Sequence, residues 1–220
     1  MTQMPTLSIA ESKKIAARIR RIEPKFGDVI RHSGPCPIGT KKPKRSNFES
    51  LASSILSQQL STKAAATIIG RVEELSGGSL NAAGISHLTH RQLRSAGCSG
   101  AKTRAISELA EAAEDKTIPI NSLHKLSDEE IYDYLLPLFG IGQWTVEMFL
   151  IFQLGRVDVW PVGDLGVRRG WEKVHRLRNE IEPERLHRAG EKFAPYRSHL
   201  AWYCWRALEF YSTPSIKKKR

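Results

Sequence analysis

The sequence predicts an all-α protein, on three observations. Apolar residues recur at helical spacing over most of the chain, capping signals mark helix starts, and strand-like alternation is confined to residues 156–160, RVDVW. From the start, MTQMPTLSIAESKK lacks the apolar core of a secretory leader. Residues 33–47, rich in Gly, Pro and Lys, read as irregular and include the basic run Lys41, Lys42, Lys44 and Arg45. Residues 48–75 carry a stripe of Phe48, Leu51, Ala52, Ile55 and Leu56, then Ile68, Ile69 and Val72, interrupted near Gln58, Gln59 and Ser61. A helix over about 103–113 turns Ile106, Leu109, Ala110 and Ala113 to one face. Another begins at Ser127, whose capping box with Glu130 precedes Ile131, Leu135 and Leu136 on the inward side. Further helices are expected at about 144–153, 165–175, 184–193 and 197–210, with Pro183 suited to a first helical position. Residues 212–220 read as an irregular, basic tail, and no repeat is present.

At 220 residues and 40% hydrophobic content, the chain can bury a core in one domain or two small lobes. No apolar run approaches the roughly 20 residues of a membrane span, so no membrane partner is expected. Cys36, Cys98 and Cys204 are odd in number and far apart, which fits buried thiols in a reducing compartment rather than a disulfide framework. With no C-x-x-C pair, neither zinc nor an iron–sulfur cluster is expected. Lys and Arg outnumber Asp and Glu by 34 to 23, a net charge of +11, which points to a polyanionic partner.

The most specific local feature is LFGIGQWTV at residues 138–146, between two predicted helices. Gly140 and Gly142 allow a hairpin too tight for side chains, and Ile141 can anchor it in the core. A helix beginning near Gln143 and running through Thr145 offers backbone N–H groups and a positive dipole end to a phosphate, whatever the base sequence. A plain turn between helices is the alternative reading of the same G-x-G.

LFGIGQWTVEMFLIF resembles the helix-hairpin-helix of the DNA glycosylase superfamily, whose usual form has Pro where this chain has Phe139. Further on, VDVWPVGDLGVRR (157–169) resembles the Gly/Pro-rich loop that precedes that superfamily's catalytic Asp, here Asp164. ILSQQLSTKAA (55–65) resembles the segment lining the lesion. PYRSHLAWYCW (195–205) resembles the C-terminal helix of 3-methyladenine DNA glycosylases of the bacterial inducible and yeast type. The four blocks cover roughly residues 48–210. The chain departs from the pattern at Gly163, where this branch often has a second acidic residue, and it has no room for the extra β domain of some relatives.

The resemblance implies two helical lobes with a DNA and active-site cleft between them. One lobe is residues 48–155 with the hairpin unit at about 131–152; the other is residues 1–47 plus 156–220. It implies excision of alkylated purines from double-stranded DNA, by a monomer, with Asp164 stabilising positive charge on the sugar. Asp164 also precedes a predicted helix, so a pure helix cap is the competing role. Bifunctional relatives place a Schiff-base Lys two residues after the second hairpin Gly; here that residue is Trp144, so no lyase step is expected. By resemblance Trp144, Met148 and Trp205 line the base pocket, with Trp202 and Tyr203 either nearby or filling the core. Gln59 is the implied wedge into the vacated stack, with Gln58 and Ser61 beside it. No cofactor is required, although backbone carbonyls of Leu136, Leu138 and Ile141 are implied as an optional Na+ or K+ site. Residence would be cytoplasmic or nucleoid in a bacterium or archaeon, nuclear in a eukaryote. The alternatives are a non-catalytic hairpin DNA-binding protein, or a glycosylase for uracil, ethenoadenine or a mismatch.

Overall fold

The computed structural model describes residues 7–212, which form helices and connecting turns and, among the described residues, no strand. The chain divides into two compact units. One comprises Pro43–Phe149; the described residues of the other are 7–42 and 150–212.

The first unit is built on α3 (Asn47–Ser57), α4 (Thr62–Leu75) and α7 (Gly100–Glu114), with the short α5 (Ala82–Ser86) and α6 (His90–Ser95) between them. The apolar stripe buries Phe48, Leu51, Ile55 and Leu56 of α3 against Ile106, Leu109 and Ala110 of α7. The interruption in that stripe is a real break. Gln58 ends α3, Gln59 takes a left-handed φ of 56°, and Ser61 caps α4 by accepting the Ala64 N–H. Gln58 and Gln59 therefore occupy an interhelical turn, not the middle of a helix. A capping box of Ser127 and Glu130 starts α8 (Asp128–Leu135), followed by the hairpin turn and α9 (Gln143–Met148).

Leu136 corrects an expectation. The apolar pattern puts it on the inward face, but it lies past the last residue of α8, beside Pro137, and is 44% exposed. Leu135 already occupies the buried position, and one further residue rotates about 100° off the stripe.

The second unit centres on α12 (Arg197–Ser212), which buries Leu200, Ala201, Cys204 and Ala207. Packed on it are α10 (Leu165–His175), α2 (Gly27–Ser33) and α1 (Ile9–Ile22). Gly170 permits the α10 contact, because a Cβ there would run into the Cys204 backbone. Pro183 opens α11 (Pro183–Gly190), and the chain then tightens into a 3-10 turn over Glu191–Phe193. Residues 156–160 do not form a strand. Their backbone pairs with the start of α12: Ser198 N–H donates to Val157 O at 3.0 Å and Val159 N–H to Ser198 Oγ at 2.8 Å. A bidentate Arg197–Asp158 pair, at 2.8 and 2.9 Å, holds this junction. Cys36, Cys98 and Cys204 are free and buried.

Candidate active site

Asp164 is the N-cap of α10, nine-tenths buried, and its Oδ1 accepts the Val167 N–H at 2.7 Å. The same oxygen accepts Trp205 Nε1–H at 2.8 Å, from the middle of α12. Two N–H donors from two helices thus fix one carboxylate oxygen, which is more than a cap alone requires. Gly166 makes the second donor possible. A Cβ on it would stand 2.8 Å from Trp205 Cδ1 and 3.0 Å from Asp164 Oδ1. Beneath this pair lies Cys204, whose thiol burial and the neighbouring Asp164 charge push well above its ordinary pKa, so it stays protonated and inert.

Trp205 is half-buried and packs at 5.4 Å, centroid to centroid, against Phe152, which is 57% exposed. Phe152 sits in the π-helical turn Phe149–Gln153 that follows α9, a local widening that is frequent at functional sites. Sequence reasoning passed over Phe152, since straight helical periodicity gives no signal for a π turn. Trp202 is half-buried, edge-on to Tyr203, with the Arg206 guanidinium 5.8 Å from its ring centroid. Tyr203 is a correction. It is fully buried and donates its hydroxyl to Gly34 O at 3.0 Å, so it is a core residue and offers no face to a ligand.

In the first unit the hairpin turn joins α8 to α9. Gly140 has φ of 79°, and a Cβ there would meet Ala105 Cβ of α7 at 2.8 Å. Ile141 is buried and donates its N–H to Leu138 O at 3.2 Å. Gly142 departs from expectation, because its φ of −99° is open to any residue and no heavy atom lies within 4 Å of an added Cβ. It is the exposed N-cap of α9, and no side chain caps it. Thr145 is a second correction: it is buried, and its N–H is used within the turn on Gly142 O at 2.9 Å. Gln143 is exposed and donates its Nε2 to Glu147 Oε1, one turn ahead, at 3.0 Å, Trp144 is 49% exposed, and Met148 is half-buried.

Residues 55–65 meet the hairpin directly. Gln58 Nε2 donates to Gly140 O at 3.0 Å, which makes Gln58 a strut and leaves the left-handed, exposed Gln59 and its neighbour Leu60 at the tip. Leu60, 39% exposed, escaped the sequence reading, although an apolar residue inside the broken stripe was its available signal. Among the described residues no group of three or more His, Cys, Asp or Glu side chains could hold a metal ion. No helix among them is long and apolar enough to cross a membrane.

Comparison with known proteins identifies the family. The family described as HhH-GPD superfamily base excision DNA repair protein matches residues 52–195. DNA-3-methyladenine glycosylase 1 of Schizosaccharomyces pombe is 35% identical over 192 residues, covering 83% of this chain and 84% of that protein. Two solved structures are similar. The S. pombe 3-methyladenine DNA glycosylase in complex with abasic DNA has a TM-score of 0.76 at 32% identity, over 88% of this chain and 95% of that one. The DNA-3-methyladenine glycosidase from Bacillus halodurans has a TM-score of 0.78 at 34% identity, over 88% of both chains.

Proposed function

Since the chain belongs to the HhH-GPD superfamily of base excision DNA repair proteins, we propose that it is a monofunctional DNA glycosylase that hydrolyses the N-glycosidic bond of alkylated purines in duplex DNA. The observation that carries this reading is the buried Asp164 carboxylate, held by both Val167 N–H and the Trp205 indole. Two relatives that it matches over most of their length are named for 3-methyladenine.

As the C1′–N bond lengthens, positive charge collects on the sugar. A carboxylate fixed before the reaction stabilises that charge without reorganising, and it can orient or deprotonate the water that attacks C1′. Water supplies hydroxyl to C1′, its proton leaves through Asp164, and the purine departs with the bonding electrons. An N3- or N7-alkylated purine is cationic and leaves without a dedicated acid. The paired aromatic rings of Phe152 and Trp205, in the second unit beside Asp164, suit such a base through stacking and cation–π attraction.

The hairpin supplies affinity. The uncapped start of α9 would take a backbone phosphate, and Gln59 with Leu60 would fill the gap that a flipped base leaves. The carbonyls of Leu136, Leu138 and Ile141 lie along the same turn, and each has lone pairs to offer; Leu138 O spends one on Ile141 N–H. They would hold a monovalent cation, which neutralises charge next to that phosphate. Trp144 has no amine with which to form an imine, so the product is free base plus an uncut abasic strand. The protein acts as a monomer in this reading.

The test is base release by purified protein from duplexes carrying 3-methyladenine, 7-methylguanine, ethenoadenine, uracil or no lesion. Release of the methylated purines supports the proposal; release of uracil alone, or of no base, overturns it.

A further inference from the structure

Phe139 stands where the resembled hairpins carry proline, and it uses the N–H that proline lacks. That N–H donates to Glu108 Oε2 at 3.0 Å. The other carboxylate oxygen of Glu108 accepts Arg104 Nε at 2.8 Å, one turn back on α7. The Arg104 guanidinium then lies 4.0 Å from the centroid of the Phe139 ring, which closes the loop of contacts. Arg104 and Phe139 N–H together hold the Glu108 carboxyl below the ordinary carboxylate range.

Each contact is weak on its own. An exposed ion pair is screened by water and salt, and an exposed cation–π contact is little stronger. Their joint effect is geometric. Arg104 loses the rotamer freedom that usually makes a surface arginine a poor ligand, because Nε is tied and the plane rests on a ring. Its side chain is 60% exposed, and its two terminal nitrogens have no protein partner among the described residues. The clasp therefore fixes an outward guanidinium fork at the turn that leads into α9.

We propose that Arg104 is a further phosphate ligand for duplex DNA, pre-ordered by Glu108 and Phe139. The inference rests on the reading of the adjacent hairpin as a phosphate grip. A phosphate on the fork would stand about 3 Å from the guanidinium and roughly twice as far from Glu108, whose two oxygens are already engaged, so attraction outweighs repulsion. The fork suits a phosphate because two parallel N–H donors match two phosphate oxygens.

The test measures the affinity of the full chain for an undamaged duplex across a salt series. Arg104→Ala is expected to weaken binding and flatten the slope of log K against log salt by about 0.9, or about three- to fourfold less salt sensitivity between 50 and 200 mM. Arg104→Lys is expected to restore the slope but only part of the affinity, since the ammonium keeps the charge and loses the fork. Glu108→Ala gives the decisive sign. Removal of a surface negative charge tightens DNA binding if only net charge matters, whereas loss of the anchor weakens it. An unchanged slope for Arg104→Ala, or tighter binding by Glu108→Ala, overturns the inference. If Gly140→Ala weakens binding while Arg104→Ala does not, the hairpin grip stands and this inference alone falls. A parent with no salt-dependent DNA affinity removes both.

Discussion

Trp205 Nε1 donates to Asp164 Oδ1 at 2.8 Å, and Gly166 leaves the room that this bond needs. The backbone of Gly166 is helical, so space and not conformation calls for glycine. Gly166→Ala is expected to push the indole away and break the bond while α10 survives. A lost hydrogen bond to a carboxylate is worth about 1.5–3 kcal/mol, so base release should slow by roughly ten- to a hundredfold. The Trp205 indole N–H resonance should shift in Gly166→Ala, whether or not turnover is measured. Gly166→Ala combined with Trp205→Phe should be no slower than Trp205→Phe alone, because both remove one interaction. Additive losses would show that Gly166 acts by another route.

Asp164→Asn keeps the capping oxygen and the shape, and removes the charge. The fold, read by circular dichroism, and the duplex affinity should largely persist. Single-turnover release should fall by roughly a hundredfold or more, most for ethenoadenine, whose neutral leaving group is poorer. Near-parental rates would move the chemistry off Asp164. A variant that fails to fold would return it to a pure helix cap, and a protein that only binds DNA would be indifferent to the change.

The two hairpin glycines should behave differently. Gly140→Ala places a side chain at φ of 79° and 2.8 Å from Ala105 Cβ, a cost of about 1–2 kcal/mol before the clash is counted. It should lower the melting temperature and weaken binding to damaged and undamaged duplexes alike. Gly142→Ala meets no atom within 4 Å at an ordinary φ, so its melting temperature should stay parental. If a phosphate closes on that N-terminus, only its duplex affinity should drop, several-fold. An unchanged affinity in Gly142→Ala would place the phosphate elsewhere.

Much of this was legible in the sequence, and the exceptions have physical causes. The all-α class, the break after Ser57 and the capping box at Ser127 rest on local chemistry that one chain displays. The helices Ile9–Ile22 and Gly27–Ser33 escaped, although Ser8 and Glu11 form a capping box, because the first sets few apolar residues among its Lys and Arg and the second spans only 7 residues. Identifying Asp164 needed the resemblance, since its spacing alone fits a helix cap. Its partnership with Trp205 joins residues 41 apart and has no sequence signature. Tyr203 and Trp205 are two residues apart, and helical periodicity puts them on different faces, one in the core and one beside the carboxylate.

The products provide a separate check. With Trp144 where an amine would be needed, borohydride should trap no covalent protein–DNA adduct, and strands should break only after alkali. A trapped adduct would assign the imine to another amine. Lys102 is the first to replace in that event, because burial lowers its pKa, although its Nζ is engaged with Leu56 O at 2.7 Å.

His199 is expected to weaken the fold in mild acid. It is fully buried in α12, Tyr196 meets its ring edge-on at 6.3 Å, and neither ring nitrogen has a hydrogen-bond partner. Burial brings its pKa down from the usual 6.5 to about 4. Above pH 6.5 the imidazole is neutral in both folded and unfolded chains, and no pH dependence arises from it. As pH falls from about 6.5 to about 4, the unfolded chain takes up a proton that the folded chain refuses, so stability drops. The full loss is about 3 kcal/mol, most of it reached by pH 4. Below about 4 the folded form also binds the proton, and the loss levels off. His199→Leu removes the titrating group and two unsatisfied nitrogens at similar volume, so it should match or exceed parental stability at pH 7. The measurement is urea unfolding of parent and variant at half-unit steps from pH 7.5 to 4. The gap between the two curves should widen steadily below pH 6.5. Parallel curves would show that His199 finds a proton acceptor in the folded protein, and carboxylates would then account for acid unfolding.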